Sequence, residues 1–101
     1  MIKAKFNKLI DSPQPVLIDF YADWCGPSSV LSPMLEKLRH ELGNPGKILK
    51  INVETNGELV DKLDVQSIPT LMIFQNGELK WRGNGLQSLP DLKQKWLSLA
   101  G

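Results

Sequence analysis

The chain has 101 residues, 42% apolar and 23% charged, with a net charge of +1. That size and balance fit one globular domain around a single core. They exclude a basic nucleic-acid face and a polybasic membrane-binding cluster, and no apolar run is long enough to span a bilayer.

One cysteine, Cys25, rules out an internal disulfide and a cysteine-rich zinc or iron–sulfur site within the chain. The single histidine, His40, is polar-flanked and far from Cys25 in sequence, so it reads as a surface residue. No metal site and no cofactor are expected. The start, "MIKAKFNKLIDSPQP", carries lysines but no apolar h-region and no small-residue cleavage site. No secretory leader is expected, and a reducing, cytoplasmic location is the reading.

Ile2, Phe6, Leu9 and Ile10 share one face at helical spacing and predict a short amphipathic helix, ended by Pro13 and Pro15. "VLIDFYA", Val16 to Ala22, is an apolar run of strand length, of the kind buried on both faces. The next helix follows "WCG". Pro27 suits its first turn, Leu31, Met34, Leu35, Leu38 and Leu42 form its apolar stripe, and Pro33 predicts a kink. "NPG" stops it. "KILKINV", Lys47 to Val53, is a second strand, and strand–helix–strand at this length implies a right-handed parallel crossover. Both strands are expected at the centre of the sheet.

Thr55 and Glu58 have capping-box spacing and predict a short helix through Leu63. "SIPTLMIF" gives a third strand. Asn76-Gly77 is a two-residue hairpin signal leading into "ELKWR". Trp81 reads as a packing residue of that hairpin. Ser88 can cap a last helix whose buried face is Leu92, Trp96 and Leu99. Met34 and Met72 read as core. The expected fold class is α/β: a mixed sheet of about four strands with helices on both faces, forming a single domain over residues 1–101.

The order of these elements, with "VLIDFYADWCGP", "KINVE", "SIPTLMIFQNGE" and a glycine, Gly85, before the last helix, resembles the thioredoxin family over nearly the whole chain. Two departures stand out. Thioredoxins begin with an extra strand before the first helix, which here is expected to be short or missing. Ser28 also occupies the place of the second cysteine in the family's Cys-Gly-Pro-Cys motif.

Cys25 lies at the predicted start of a helix. Free N–H groups and the helix dipole there favour an anion, which lowers a thiol's pKa and raises its reactive fraction. The alternative is a small buried hydrophobe. Asp19 breaks the apolar run, and burial would raise its pKa toward neutrality. The resemblance implies that Asp19 assists proton transfer at the second cysteine and that Lys50 is its partner. The alternative is a structural buried pair. The resemblance also implies a cis bond before Pro69 and a substrate segment laid along the backbone of Ile68. Trp24, Gly26, Pro27, Ile68, Pro69, Gly85 and Leu86 would then frame a shallow apolar groove around the sulfur.

Disulfide reduction needs two thiols: one forms a mixed disulfide, the other resolves it. Ser28 can fill the second thiol's space, but an alcohol supplies no anion at neutral pH. The chain is therefore expected to perform the first step and stall. Three accounts of the serine remain open: an introduced Cys→Ser change in a working thioredoxin, a natural monothiol oxidoreductase using glutathione, and a non-catalytic binding module. Monothiol glutaredoxins carry a motif resembling Cys-Gly-Phe-Ser, from which Pro27 departs. The expected partners are disulfide-containing proteins and a thioredoxin reductase, with no nucleic acid and no membrane. A monomer is expected, with a thiol able to join two chains by an intermolecular disulfide.

Overall fold

The structure, a computed structural model, describes residues 3–23, 26–42 and 47–100, with residues 26–32 and 100 described in backbone only. Its elements in chain order are α1 (Lys3–Ile10), β1 (Val16–Tyr21), α2 (Gly26–Leu42), β2 (Lys47–Asn52), α3 (Gly57–Lys62), β3 (Thr70–Gln75), β4 (Glu78–Asn84) and α4 (Leu89–Ala100). The strands lie in the order β2-β1-β3-β4. β1 runs parallel to β2, with Val16 opposite Lys47 and Asp19 opposite Lys50. β3 is antiparallel to both β1 and β4. This is the mixed four-stranded sheet expected, and no strand precedes α1 among the described residues.

The two parallel strands are not both central, which corrects the expectation from sequence. β1 is central, but its neighbour there is β3, and β2 is an edge strand. The reason is legible in burial. β1 and β3 are buried from end to end except at their last residue. In β2 the apolar run is broken by Lys47, Lys50 and Asn52, so burial falls on Ile48 and Ile51 alone.

Strand alternation sorts the core into two halves. Val16, Ile18 and Phe20 of β1 and Met72 and Phe74 of β3 face Phe6 and Ile10 of α1 and Leu59 of α3. Phe6 and Phe74 meet edge to face with centroids 5.5 Å apart. On the other side Leu17, Leu71 and Ile73 pack against Leu35 and Leu38 of α2 and Leu92 and Trp96 of α4. Helices therefore cover both faces. Met34, Leu42, Trp81 and Leu99 are half-buried against this second core. The expectations on Ile2 and on the Leu31 side chain lie outside the described residues. Pro33 sits inside α2 with its ring exposed.

The turns follow local chemistry. Asn76 and Gly77 take φ of 54° and 79° between β3 and β4, the mirror-image turn that strand twist favours. The turn is fastened to the end of α1, through Asn76 N–H to Ser12 O at 2.7 Å and Gly77 N–H to Ile10 O at 3.1 Å. Ser88 caps α4, its Oγ accepting from the N–H of Asp91 at 3.2 Å. α3 departs from expectation. Its N-cap is Asn56, and no side chain caps it, so the Thr55–Glu58 box does not form. Asn56 turns its amide back to Asn52 O at 2.7 Å. On the other side of β2, Arg39 donates to Ile48 O at 3.1 Å.

Gly83 of β4 lies beneath the ring of Trp81. A Cβ there would meet Trp81 Cη2 at 2.6 Å and Cζ2 at 2.8 Å, whereas a Cβ on Gly57 would meet nothing within 4 Å. Gly83→Ala should therefore lower the free energy of unfolding by about 1–3 kcal/mol through overpacking. Gly57→Ala should be neutral or add up to about 1 kcal/mol by narrowing the unfolded ensemble. Urea midpoints of the two variants check both expectations.

Candidate functional site

Asp19 is fully buried in the central strand. Alternation sets it on the same side as Leu17, the side that α2 and α4 cover. Neither carboxylate oxygen has a hydrogen-bond partner among the described residues. Burial pushes its pKa up to about 6, with the Lys50 ammonium pulling the other way. That value suits a group that exchanges protons near neutral pH. Lys50 is Asp19's register neighbour, but it is exposed, and its ammonium lies 4.6 Å from the centre of the Tyr21 ring. The buried-pair alternative is corrected accordingly: one member is buried and the other reaches the surface, because β2 is an edge strand.

The Ile68–Pro69 bond is cis. Pro69 is buried just before β3, and its carbonyl accepts the N–H of Gly85 at 2.8 Å. This bond brings the turn before β3 against the segment after β4. Gly85 holds φ of +84° with open space where a side chain would stand. A side chain at that φ is strained, so backbone conformation, rather than crowding, asks for glycine here. Leu86 is 50% exposed beside it. Thr70, the first residue of β3, is buried, and its hydroxyl donates to Ser67 O at 2.5 Å.

Gly26, Pro27 and Ser28 form the first turn of α2 in backbone. Trp24 and Cys25 lie outside the described residues. The structure thus brings the buried Pro69 against Gly85, with the exposed Leu86 next in the chain, and places Asp19 on the face of the sheet that α2 and α4 cover. Among the described residues no group of three or more histidine, cysteine, aspartate or glutamate side chains could hold a metal ion. No described helix is long and apolar enough to cross a membrane.

Sequence reasoning missed two residues beside this surface. Just past the Leu63 cap of α3, Asp64 holds φ +55°, with Asp64 N–H donating to Asp61 O at 3.2 Å and Val65 N–H to Val60 O at 3.0 Å. This is the six-to-one helix stop that glycine usually makes. Arg82 of β4 donates Nη1 to Leu63 O at 2.7 Å and Nη2 to Asp64 O, pinning that stop to the sheet. "KLDV" has no glycine, so the only available signal was aspartate's tolerance of the left-handed region.

The Asp19 carboxyl makes stability depend on pH. Its folded pKa of about 6 exceeds the ordinary 3.8, so between those values the folded chain keeps a proton that the unfolded chain has released. Stability falls as pH rises through that window and stays reduced above it. At roughly 1.4 kcal/mol per pH unit the cost at neutral pH is about 3 kcal/mol. Asp19→Asn should raise stability by up to that amount at pH 7.5 and by little at pH 3.5. Urea unfolding at the two pH values is the measurement. An equal gain at both would mean that the buried charge is not its source.

The chain matches the thioredoxin family model over residues 1–97. It is 41% identical over 86 residues to the thioredoxin of Rickettsia typhi, covering 85% of this chain and 82% of that one. It is 41% identical over 73 residues to a bifunctional thioredoxin reductase/thioredoxin of Mycobacterium leprae, 72% of this chain and 16% of that protein. Among solved structures, a mutant thioredoxin from Halobacterium salinarum superposes with a TM-score of 0.90 at 33% identity, covering 100% of this chain and 88% of that one. The two-faced sheet, the cis-proline turn and the glycine bonded to it thus lie in a chain whose likeness to thioredoxins runs along almost its full length, and the chain belongs to the thioredoxin family of thiol–disulfide oxidoreductases.

Proposed function

We propose that the chain carries out thioredoxin-type disulfide exchange through Cys25 and that Ser28 halts it at the mixed disulfide. One observation carries this reading: Cys25-Gly26-Pro27-Ser28 leads into α2, with Ser28 in the first helical turn three residues after the thiol. A helix start favours the thiolate, the attacking form. The Cys25 thiolate attacks one sulfur of a substrate disulfide. The substrate S–S bond breaks, a new S–S bond joins the substrate to Cys25, and the departing sulfur leaves as a thiolate that takes a proton from water. No external oxidant or reductant is consumed in this step.

Release requires a second thiolate aimed at the new bond. The Ser28 hydroxyl can donate a hydrogen bond to sulfur but cannot displace it. Asp19 would take the proton of a resolving thiol at this position, and with serine there it has no proton to move. Ile68, Pro69, Gly85 and Leu86 would receive the substrate segment, with Trp24, Gly26 and Pro27 on its other side. A thioredoxin reductase is the electron source we assign, supported by the Mycobacterium leprae relative that unites both in one chain. A reducing, cytoplasmic setting and a monomer complete the proposal.

Ser28→Cys should restore steady-state reduction of a protein disulfide with thioredoxin reductase or a dithiol as reductant. The gain should be roughly a hundredfold or more, because a thiol is a few per cent thiolate at neutral pH whereas an alcohol is essentially un-ionised. Mass spectrometry of the serine form mixed with a disulfide peptide should show a stable one-to-one adduct on Cys25. Turnover of the serine form by glutathione alone would replace this reading with a monothiol enzyme. Absence of any adduct would replace it with a binding module.

A further inference from the structure

Next to the cis-proline turn lies a cleft of about 280 Å³ lined by Asp64, Gln66, Ser67, Arg82 and Asn84. Its position follows from the sheet. Asn84 pairs with Thr70 at the start of β3, and the next residue, Gly85, is the one bonded to Pro69. Ser67 stands two residues before Pro69 on the same turn. The cleft thus lies beside the contact of Pro69 with Gly85, and every side chain lining it is polar. None of these residues belongs to the shallow apolar groove expected from sequence.

The charges are unequal in their commitments. Arg82 directs Nη1 and Nη2 into the carbonyls of Leu63 and Asp64, so its cationic end is already engaged with the end of α3. The Asp64 carboxylate is exposed and accepts from a neutral amide, Gln66 Nε2, at 2.7 Å. An acidic visitor would have to compete with two carbonyls for Arg82. A basic visitor would meet a carboxylate directly, with the Ser67 hydroxyl and the Asn84 amide oxygen as further acceptors.

We propose that this cleft is a specificity subsite, in which Asp64 receives a lysine or arginine side chain of the substrate segment a few residues from the disulfide. The proposal rests on the disulfide-exchange reading above, which supplies the segment lying along Ile68 and Pro69. Asp64 acts here as a substrate-binding residue and takes no part in the exchange of sulfur bonds.

The test uses disulfide peptides that differ at one flanking residue, arginine against alanine against glutamate. The rate of adduct formation on Cys25, followed by mass spectrometry at low salt, should favour the arginine peptide over the glutamate peptide by roughly two- to five-fold, the worth of an exposed ion pair. The preference should shrink as salt is raised. Asp64→Asn should bring the ratio to about one. Asparagine keeps the left-handed backbone at this position and the carbonyl that Arg82 holds, so the fold is retained. A second readout is independent of the thiol: amide-shift titrations with the same peptides carrying serine for cysteine. The arginine peptide should move Asp64, Ser67 and Asn84 in the parent chain and not in Asp64→Asn. A ratio unchanged by Asp64→Asn, a preference for glutamate, or shifts that avoid these residues would overturn the subsite. Absence of every adduct would instead sink the exchange reading, while the titration still decides the subsite.

Discussion

Everything in this molecule is hung on β1. Its residues are buried on both faces and hydrogen-bonded on both edges, to β2 on one side and β3 on the other. A strand in that position must be apolar nearly throughout, because neither face meets water. Asp19 violates the rule in the middle of the strand. Burial shifts the carboxyl's titration up to about 6, so the strand that organises both cores also carries a group that gains and loses its proton just below neutral pH, on the face that α2 and α4 cover. Fold and chemistry compete for one position.

The surface above is assembled from distant pieces by few bonds. Pro69 precedes β3 and Gly85 follows β4, and one N–H to carbonyl bond closes them together. The hairpin between them is anchored at its far end by the turn's bonds to α1. Arg82 ties the same hairpin to the stop of α3. The cis-proline turn is thereby held by elements whose own packing is complete, which is what the substrate-binding role proposed for it would require.

How much of this could be read from residues depends on whether the signal is local. The β1 run, the Asn76-Gly77 turn and the Ser88 cap each depend on a few adjacent residues, and each forms as expected. β2 was misplaced to the centre because "KILKIN" is apolar enough for burial, and only pairing decides which strand covers its other edge. The Thr55–Glu58 box failed because Asn56 found a carbonyl partner in Asn52, a competition that spacing does not reveal. The cis-proline and Asp19 were legible through family likeness and through a charge in an apolar run. The Asp64–Arg82 clamp was not, since it joins residues 18 apart through main-chain oxygens.

The side chains on the outer edge of β2 bear on how the chain behaves in crowded solution. Lys47 N–H and Val53 N–H turn inward to Pro15 O and Tyr21 O, so the alternate residues Ile48, Lys50 and Asn52 present their main chain outward. Such an edge is a template for fibrous self-assembly. Arg39 occupies the Ile48 carbonyl at one end and Asn56 the Asn52 carbonyl at the other. Two copies aligned antiparallel about the strand's midpoint would also bring Lys50 against Lys50. An arginine and an asparagine thus hold two of the outward carbonyls of this margin, with a lysine between them, a pattern that works against strand-to-strand pairing of two copies.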